Sequence, residues 1–253
     1  IKDGKKKERP IRCVIVVHAY GFPAKIEEIL AICNMYNIPV IEDAASALGS
    51  KYNNRHLGSF GTLGIISFNY NKIITTTGGG AILSQNRKLI EKATYFANQA
   101  KTKGKVVEHV EIGYNYKMSG ICAELGNVQL PYLSQYVQTK RRIFDTYRSA
   151  LNNIDGIKFL EEQANIFSNR WITTILFKEK TLQKLIKAKF EENFIEAREL
   201  WKPMHSQPVF STCLTFKNGN ADNFYNSGLC LPSGLNLKKE DQEKIIELIC
   251  SFV

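Results

Sequence analysis

The sequence predicts an α/β fold with a mostly parallel sheet and flanking helices, followed by a smaller α+β domain. Residues 13–17 (CVIVV) form a continuous β-branched run of the kind buried on both faces of a parallel sheet. A helical pattern and a second strand, IPVIED, follow at short spacing, which is typical of a βαβ unit. The C-terminal half instead mixes short strands with amphipathic helices, and this indicates a separate α+β domain.

Composition limits the classes of protein to consider. The 253 residues are 44% hydrophobic, enough for one large domain or for a medium and a small one. The formal charge of +10 favours an anionic ligand, but no arginine–aromatic interleaving marks a nucleic-acid face. No apolar run approaches the roughly 20 residues that span a bilayer. Six cysteines without CxxC spacing indicate reduced core residues. We therefore expect a cytoplasmic protein that binds neither nucleic acid nor membrane.

The βαβ unit predicts where a ligand would lie. After the first strand, Pro23 can begin a helix whose apolar face carries Ile26, Ile29 and Cys33. Such units cross over right-handed, so both strands deliver their carboxyl ends to one edge of the sheet. Asp43 ends the second strand and therefore lies at the edge where open α/β sheets collect ligands.

The remaining elements can be placed in order. Strands IISF and GGAILS flank Lys72, and an amphipathic helix follows over about residues 86–99. Pro131 precedes a long helical pattern that indicates a domain junction. The sequence thus predicts a large domain over residues 1–132, and a connecting helix with a small domain over residues 133–253. The opening IKDGKKKERP is typical of a connector, so we expect the large domain to be incomplete at its N-terminus.

Lys72 and Asp43 together indicate one kind of chemistry. A lysine can form a Schiff base with an aldehyde cofactor, and an aspartate can keep a pyridine nitrogen protonated so that the ring withdraws electrons. This is pyridoxal phosphate chemistry. Ser67 could donate to the cofactor phosphate, and the glycines at 78–80 would let the backbone approach closely. Taken singly, each residue has a simpler explanation, as a solvated lysine, a cap or a turn.

At these residues the sequence resembles the DegT/DnrJ/EryC1/StrS family of pyridoxal phosphate-dependent sugar aminotransferases. VIVVHAYG is similar to a strand and turn of that family, PVIEDAASALGS to its aspartate motif, and GSFGTLGIISFNYNKIITTTGGGAILS to its lysine motif. GYNYKMSGICAELGNVQL resembles a fourth segment. The resemblance covers essentially the whole chain. It implies the transferase fold type I, with a partial large domain and a small C-terminal α+β domain.

The resemblance also implies a role for individual residues. Lys72 is expected to bind the cofactor covalently and to move a proton between the amino donor and the cofactor. Asp43 is expected to hold the pyridine nitrogen, and Ala45 to pack on a ring face. Ser67, together with Asn115 from a neighbouring subunit, is expected to bind the phosphate. The resemblance therefore implies a homodimer with shared sites.

Two features depart from the family. Ser46 stands where the family commonly has glutamine or glutamate near the phenolic oxygen of the cofactor, and a side chain this short needs a bridging water to reach it. A segment with a phosphate-binding turn and a stacking aromatic residue, which precedes the first strand in the family, is not found in these residues. Lys72 itself argues against the related sugar 3-dehydrases, which carry histidine there.

WKPMHSQPVF and GLCLPSG resemble the subgroup that aminates UDP-linked 4-keto-6-deoxy-N-acetylhexosamines. Lys202 and His205 are thereby implied to contact the nucleotide-sugar. The resulting hypothesis is an aminotransferase that moves an amino group from an amino acid, expected to be glutamate, to a nucleotide-linked keto-sugar, with no metal involved. The alternative is a catalytically inactive module of the same fold that serves dimerisation or anion binding.

Overall fold

The computed structural model describes residues 10–252, which form two compact units. The first unit contains the residues up to Val137 together with Glu162–Trp171, and the second contains Gln138–Glu161 and the residues from Ile172 onward. The division thus falls inside a helix and returns one later segment to the first unit. The sequence-based division into residues 1–132 and 133–253 does not include that return, and as a statement about domains it stays a prediction.

The first unit is built on a four-stranded sheet in the order β1-β2-β5-β6. Strands β1 (Val14–Val17), β2 (Val40–Asp43) and β5 (Leu63–Ser67) are parallel, and β6 (Gly80–Leu83) is antiparallel to β5. Helix α1 (Ile26–Met35) connects β1 to β2. The predicted βαβ unit and the mostly parallel sheet are therefore confirmed.

The two faces of this sheet differ in burial. Helix α1 packs on one face, where the buried core consists of Val16, Ile26, Cys33, Ile38 and Val40. On the other face, Ile15, Val17 and Ile82 are 63%, 49% and 45% exposed. The strand register aligns Val17, Asp43, Ile65 and Ile82 across the sheet. Because residues aligned in this way point to the same side, Asp43 belongs to the exposed face.

Glu42 lies on the buried face and anchors the end of β2. The imidazole of His18 donates from Nε2 to its Oε2 at 2.9 Å, since the Nδ1 of His18 accepts the backbone N–H of Ala24 at 3.1 Å. The other donors to the carboxylate are the backbone N–H groups of Gly58, Phe60 and Gly61. Burial by itself raises the pKa of Glu42, but these hydrogen bonds lower it overall. The carboxylate of Glu42 therefore has its hydrogen-bonding capacity filled by the protein, and its role is structural.

A small sheet in the order β4-β3-β8 attaches the later segment to the first unit. Strands β3 (Lys51–Tyr52) and β4 (Arg55–His56) form a hairpin, and β8 (Ile166–Phe167) pairs antiparallel with β3. The helices that follow β6 are α2 (Arg87–Ala97), α3 (Gly120–Gln129) and α4 (Leu133–Leu151). The side chain of Asn86 caps α2 by accepting the backbone N–H groups of its first turn.

The second unit contains α4 from Gln138 onward and an antiparallel sheet in the order β10-β11-β9-β7. Its strands are β7 (Ile157–Phe159), β9 (Thr173–Phe177), β10 (Arg198–Glu199) and β11 (Gly228–Leu231). Its further helices are α5 (Lys180–Glu192), α6 (Asn220–Ser227) and α7 (Lys239–Cys250). Short 3-10 turns lie at Met204–Ser206 and Pro208–Phe210 in this unit, and at Ala19–Gly21 and Leu130–Tyr132 in the first unit. The core is centred on Tyr147, Ile175, Phe190 and Leu229. This is the predicted small α+β unit.

The expectation that the cysteines are core residues is wrong for most of them. All six thiols are free, but Cys33 alone among them is buried, and Cys213 and Cys250 are exposed. Cys250 is the last residue of α7, and Cys213 follows the turn Pro208–Phe210. A short apolar run therefore does not imply burial where the element that carries it ends at the surface.

Candidate active site

Asp43 is the last residue of β2 and lies at the carboxyl edge of the sheet, as the sequence predicts. Its side chain is half-buried, and its Oδ1 accepts the backbone N–H of Ala45 at 3.1 Å. A carboxylate can accept about four hydrogen bonds. Asp43 therefore keeps acceptor capacity for a ligand on the exposed face of the sheet, unlike Glu42 next to it.

Lys72 lies in the turn that follows β5, and its amine points back toward the end of β2. Its backbone N–H donates to the carbonyl of Asn69 at 3.0 Å, and its Nζ donates to the Oγ of Ser46 at 3.3 Å. Burial lowers the pKa of Lys72, and the carboxylate of Asp43 partly opposes this by favouring the charged amine. The carboxylate comes from the end of β2 and the amine from the turn after β5, and the two interact electrostatically.

Trp171 is a site residue that the sequence reasoning missed. Its ring centroid lies 4.0 Å from the Nζ of Lys72, and its Nε1 donates to the carbonyl of Asn71 at 2.7 Å. Trp171 follows β8 in the segment that returns to the first unit, about 100 positions after Lys72. Nothing in the local pattern around WITTILF, apart from the tryptophan itself, indicates this contact.

Asn169 was missed for the same reason, and it ties the returning segment to the loop after β2. Its Nδ2 donates to the carbonyls of Ser46 and Leu48, both at 2.9 Å, and its Oδ1 accepts the backbone N–H of Trp171 at 3.0 Å. Gly21 makes room for this side chain, because a Cβ there would lie 2.0 Å from the Oδ1 of Asn169. The loop after β2 and Trp171 are therefore held in one arrangement.

These groups surround a small cavity of about 10 Å³. It is lined by Ala45, Ser46, Leu48, Ser67, Lys72, Ile73, Asn169 and Trp171. This volume holds about one water molecule and does not admit a pyridine ring. The face of the sheet beside Asp43 is open to solvent, since its neighbour Val17 is 49% exposed, so a ring would lie outside this cavity. The amine of Lys72, the carboxylate of Asp43 and the hydroxyl of Ser67 lie at one edge of the sheet, and these three kinds of group fit pyridoxal phosphate.

Ser67 is the last residue of β5, one strand away from Asp43. It is half-buried, and its Oγ accepts the backbone N–H of Asn69 at 3.2 Å. The hydroxyl hydrogen can still be donated to an anion. The structure thus brings Ser67, Ser46, Ala45 and Lys72 together around one cavity, while their roles toward a cofactor stay predictions.

The glycine run after Lys72 has a structural role at two positions, Gly79, whose φ of +95° favours glycine, and Gly80. Gly80 begins β6, and a Cβ on it would lie 2.4 Å from the carbonyl oxygen of Ile66 on β5. The antiparallel pairing of Ser67 with Gly80 therefore requires glycine at this position. A Cβ on Gly78 would meet nothing within 4 Å. The glycine run is explained in part by strand packing and not by ligand binding alone.

Asn115 lies apart from these residues in sequence, between α2 and α3. Asn115 is exposed, and its backbone forms an isolated antiparallel bridge with Asn98. Asn115 does not line the cavity beside Lys72. Its expected contact with a phosphate in a neighbouring subunit stays a prediction.

Lys202 and His205 both lie in the second unit. Lys202 is exposed, whereas the Nε2 of His205 contacts Oδ1 of Asp222 at 2.9 Å. The hydrogen bond from His205 is the main cause that lowers the pKa of Asp222. Lys217 also lies 3.7 Å from Asp222, beside a cavity of about 450 Å³ that His205 lines. This cluster carries charged groups suited to a polar ligand.

Residues 10–252 contain neither a candidate metal cluster nor a candidate membrane span. In this part of the chain, no group of three or more histidine, cysteine, aspartate and glutamate side chains is arranged to hold a metal ion. Likewise, none of the helices described there is both long and apolar enough to cross a membrane.

Comparison with known proteins connects the whole chain to one family. The sequence profile of the DegT/DnrJ/EryC1/StrS aminotransferase family matches residues 5–250. EpsN of Bacillus subtilis (strain 168), named as a pyridoxal phosphate-dependent aminotransferase, is 41% identical and aligns with 98% of this chain and 65% of its own. GDP-perosamine synthase of Escherichia coli O157:H7 is 32% identical and aligns with 95% of this chain and 65% of its own.

A third relative is the UDP-4-amino-4,6-dideoxy-N-acetyl-beta-L-altrosamine transaminase of Campylobacter jejuni (strain 81-176). It is 28% identical and aligns with 98% of this chain and 67% of its own. The crystal structure of a DegT DnrJ EryC1 StrS aminotransferase from Brucella abortus matches with a TM-score of 0.88 and 27% identity, covering 100% of this chain and 67% of that one. The chain spans about two thirds, 65%, of the length of the first two curated relatives.

Proposed function

The chain belongs to the DegT/DnrJ/EryC1/StrS aminotransferase family, and on this basis we propose that the protein is a pyridoxal phosphate-dependent aminotransferase acting on a nucleotide-linked keto-sugar. The reaction exchanges the amine of an amino acid, glutamate in this proposal, for the carbonyl oxygen of the sugar. The products are 2-oxoglutarate and the amino-sugar, so atoms and electrons balance. The observation that carries the proposal is the convergence of the Lys72 amine and the Asp43 carboxylate at the carboxyl edge of one sheet.

Pyridoxal phosphate, when bound, supplies an aldehyde carbon and a ring that withdraws electrons. Lys72 would hold the aldehyde carbon through Nζ and later move a proton between the α-carbon of the amino donor and the cofactor. Forming the bond and taking the proton need the neutral amine, and burial lowers the pKa of Lys72 in that direction; the ammonium form then gives the proton back. Ser46 orients Nζ by accepting its hydrogen bond at 3.3 Å.

Asp43 would accept a hydrogen bond from the ring nitrogen and keep that nitrogen protonated. Its half-buried position strengthens this electrostatic effect relative to bulk water, and the Ala45 N–H fixes its orientation. Ala45 would contact a ring face. Ser67 and, from a neighbouring subunit, the exposed Asn115 would bind the phosphate, which makes a homodimer part of this proposal.

The sugar substrate is proposed to be a UDP-linked 4-keto-6-deoxy-N-acetylhexosamine. The WKPMHSQPVF and GLCLPSG motifs favour this class, and one relative is named for a UDP-linked altrosamine. Another relative is named for a GDP-linked product, so the nucleotide is the less constrained part of the proposal. Lys202 and His205 would contact the anionic nucleotide-sugar, and Asp222 would hold the imidazole of His205 in place.

A spectroscopic test separates the parts of this proposal. The purified intact protein, mixed with pyridoxal phosphate and then freed of unbound cofactor, is expected to absorb in the visible range, and glutamate is expected to shift that absorption. UDP-linked and GDP-linked 4-keto-6-deoxy sugars are then added separately, and restoration of the original spectrum identifies the accepted nucleotide. A protein that stays colourless with added pyridoxal phosphate contradicts the enzyme assignment. Restoration by the GDP-linked sugar alone contradicts the proposed substrate and leaves the reaction type intact.

A further inference from the structure

Trp171 holds a defined position because its neighbours fix both its backbone and its ring. It is 3% exposed. Its backbone N–H donates to Oδ1 of Asn169, whose Nδ2 is held by two backbone carbonyls of the loop after β2. The backbone N–H of Asn169 also donates to the Oγ of Ser50 at 2.9 Å. The ring is therefore placed by a network that does not involve Lys72.

The ring then meets the turn that carries Lys72 at two points, one on Asn71 and one on Lys72. Its Nε1 donates at 2.7 Å to the carbonyl of Asn71, which immediately precedes Lys72. Its face lies 4.0 Å from the Nζ of Lys72, within the distance at which an aromatic ring attracts a cation. One side chain thus contacts both the amine of this lysine and the backbone carbonyl of the residue before it.

We propose that Trp171 is a positioning residue for Lys72, whose indole face sets where the amine lies and shields it from solvent. The inference rests on the proposed role of Lys72 for its importance to catalysis, but the contact itself is independent of any cofactor. An amine on a four-carbon chain has many rotamers, and holding it in one of them is a condition for reaction at a fixed carbon.

The test is site-resolved labelling of the protein without cofactor. The protein reacts with a trace of acetic anhydride at several pH values, and mass spectrometry gives the acylation rate of the neutral amine at Lys72. Lys88, an exposed lysine on α2, is the internal reference. The variants are Trp171→Phe, which keeps an aromatic face, and Trp171→Met and Trp171→Leu, which remove it.

We expect Trp171→Met and Trp171→Leu to raise the labelling rate of Lys72 about fivefold or more, because the amine loses its cover. Trp171→Phe should stay within about twofold of the unmodified protein, and Lys88 should not change. The inference is overturned if folded Trp171→Met or Trp171→Leu protein labels like the unmodified protein, or if Trp171→Phe labels as fast as Trp171→Met. Should the Met and Leu variants fail to fold, a fivefold increase in Trp171→Phe alone overturns it.

A second measurement keeps this result distinct from the proposed function. Each variant is mixed with pyridoxal phosphate and reduced with borohydride, and the adduct at Lys72 is quantified. If no protein forms the adduct while the labelling rates differ as expected, the proposed function fails and the positioning role stands. If the unmodified protein forms the adduct and all variants label alike, the positioning role fails and the function stands.

Discussion

Two lysines, the half-buried Lys72 in the first unit and the buried Lys140 in the second, differ in what surrounds them. Lys140 on α4 is 7% exposed, and burial lowers its pKa to about 8. Among residues 10–252 its amine donates to the carbonyl of Ser233 and has no carboxylate partner. Lys72 is less buried, yet its amine contacts a hydroxyl and an aromatic face and interacts with the carboxylate of Asp43. Burial alone therefore does not identify a reactive lysine; the groups that converge on it do.

The difference follows from where each lysine lies. Lys140 ties α4 to the residues after β11, as does Tyr147, whose hydroxyl donates to the carbonyl of Pro232 at 3.0 Å. This is a packing contact inside the second unit. Lys72 lies in a turn at the edge of a sheet whose other face carries the saturated Glu42 network. The first arrangement closes a core, and the second leaves one side open to a ligand.

Lys72→Ala is expected to have the largest effect, because the comparison predicts that Lys72 alone of the two is catalytic. We expect transamination to fall about 1,000-fold or more and the borohydride-reducible adduct with pyridoxal phosphate to disappear. Lys140→Met is the matched control and should keep both. An adduct that persists at the same peptide in Lys72→Ala contradicts the assignment.

The pH dependence of stability should reveal the lowered pKa of Lys140. Between pH 8 and 10.5 the unfolded chain keeps the proton on this lysine while the folded protein has lost it, so the free energy of unfolding should rise with pH by about 3 kcal/mol. Chemical denaturation at several pH values measures this rise. It should be absent in Lys140→Met. An equal rise in both proteins would show that other groups cause it.

Asp43→Asn tests the carboxylate that distinguishes the two lysines. The amide has nearly the same size but cannot stabilise a protonated ring nitrogen, so we expect transamination to fall about 100-fold with the fold retained. Asp155→Asn, at a side chain that is 96% exposed in the second unit, is the control. Activity within fivefold of the unmodified protein would show that Asp43 does not contact the ring.

Ser46→Ala is expected to have the smallest effect. It removes one hydrogen bond to the amine of Lys72, an interaction worth about 1 kcal/mol, so transamination should fall about fivefold. Ser149→Ala, on the exposed side of α4, is the control. Steady-state rates with glutamate in excess measure the change. A loss comparable to that of Asp43→Asn would mean that Ser46 has a direct role with the cofactor.

The sequence predicted the local part of the site and could not predict the long-range part. Asp43 ends a strand of the βαβ unit, so that rule places it at the carboxyl edge of the sheet. Lys72 was predicted only to lie between two strands, and it reaches the same edge because β5 is parallel to β2. Asn169 and Trp171 reach that edge because β8 pairs with β3, and a pairing of two short strands far apart in the chain leaves no periodic signal. The sequence also predicted Ser46 as a site residue but did not predict its direct contact with Lys72.

The return of Glu162–Trp171 to the first unit has a consequence for dissecting the protein. A fragment that stops at Val137 would contain Lys72, Asp43 and the whole main sheet. It would lack Trp171, whose ring covers the amine of Lys72, and β8, the third strand of the small sheet. A contiguous fragment with an intact site must run on to Trp171, so it must also carry the rest of α4 and β7. Limited proteolysis between 138 and 161 should therefore leave two nicked pieces that remain associated while the amine stays sheltered.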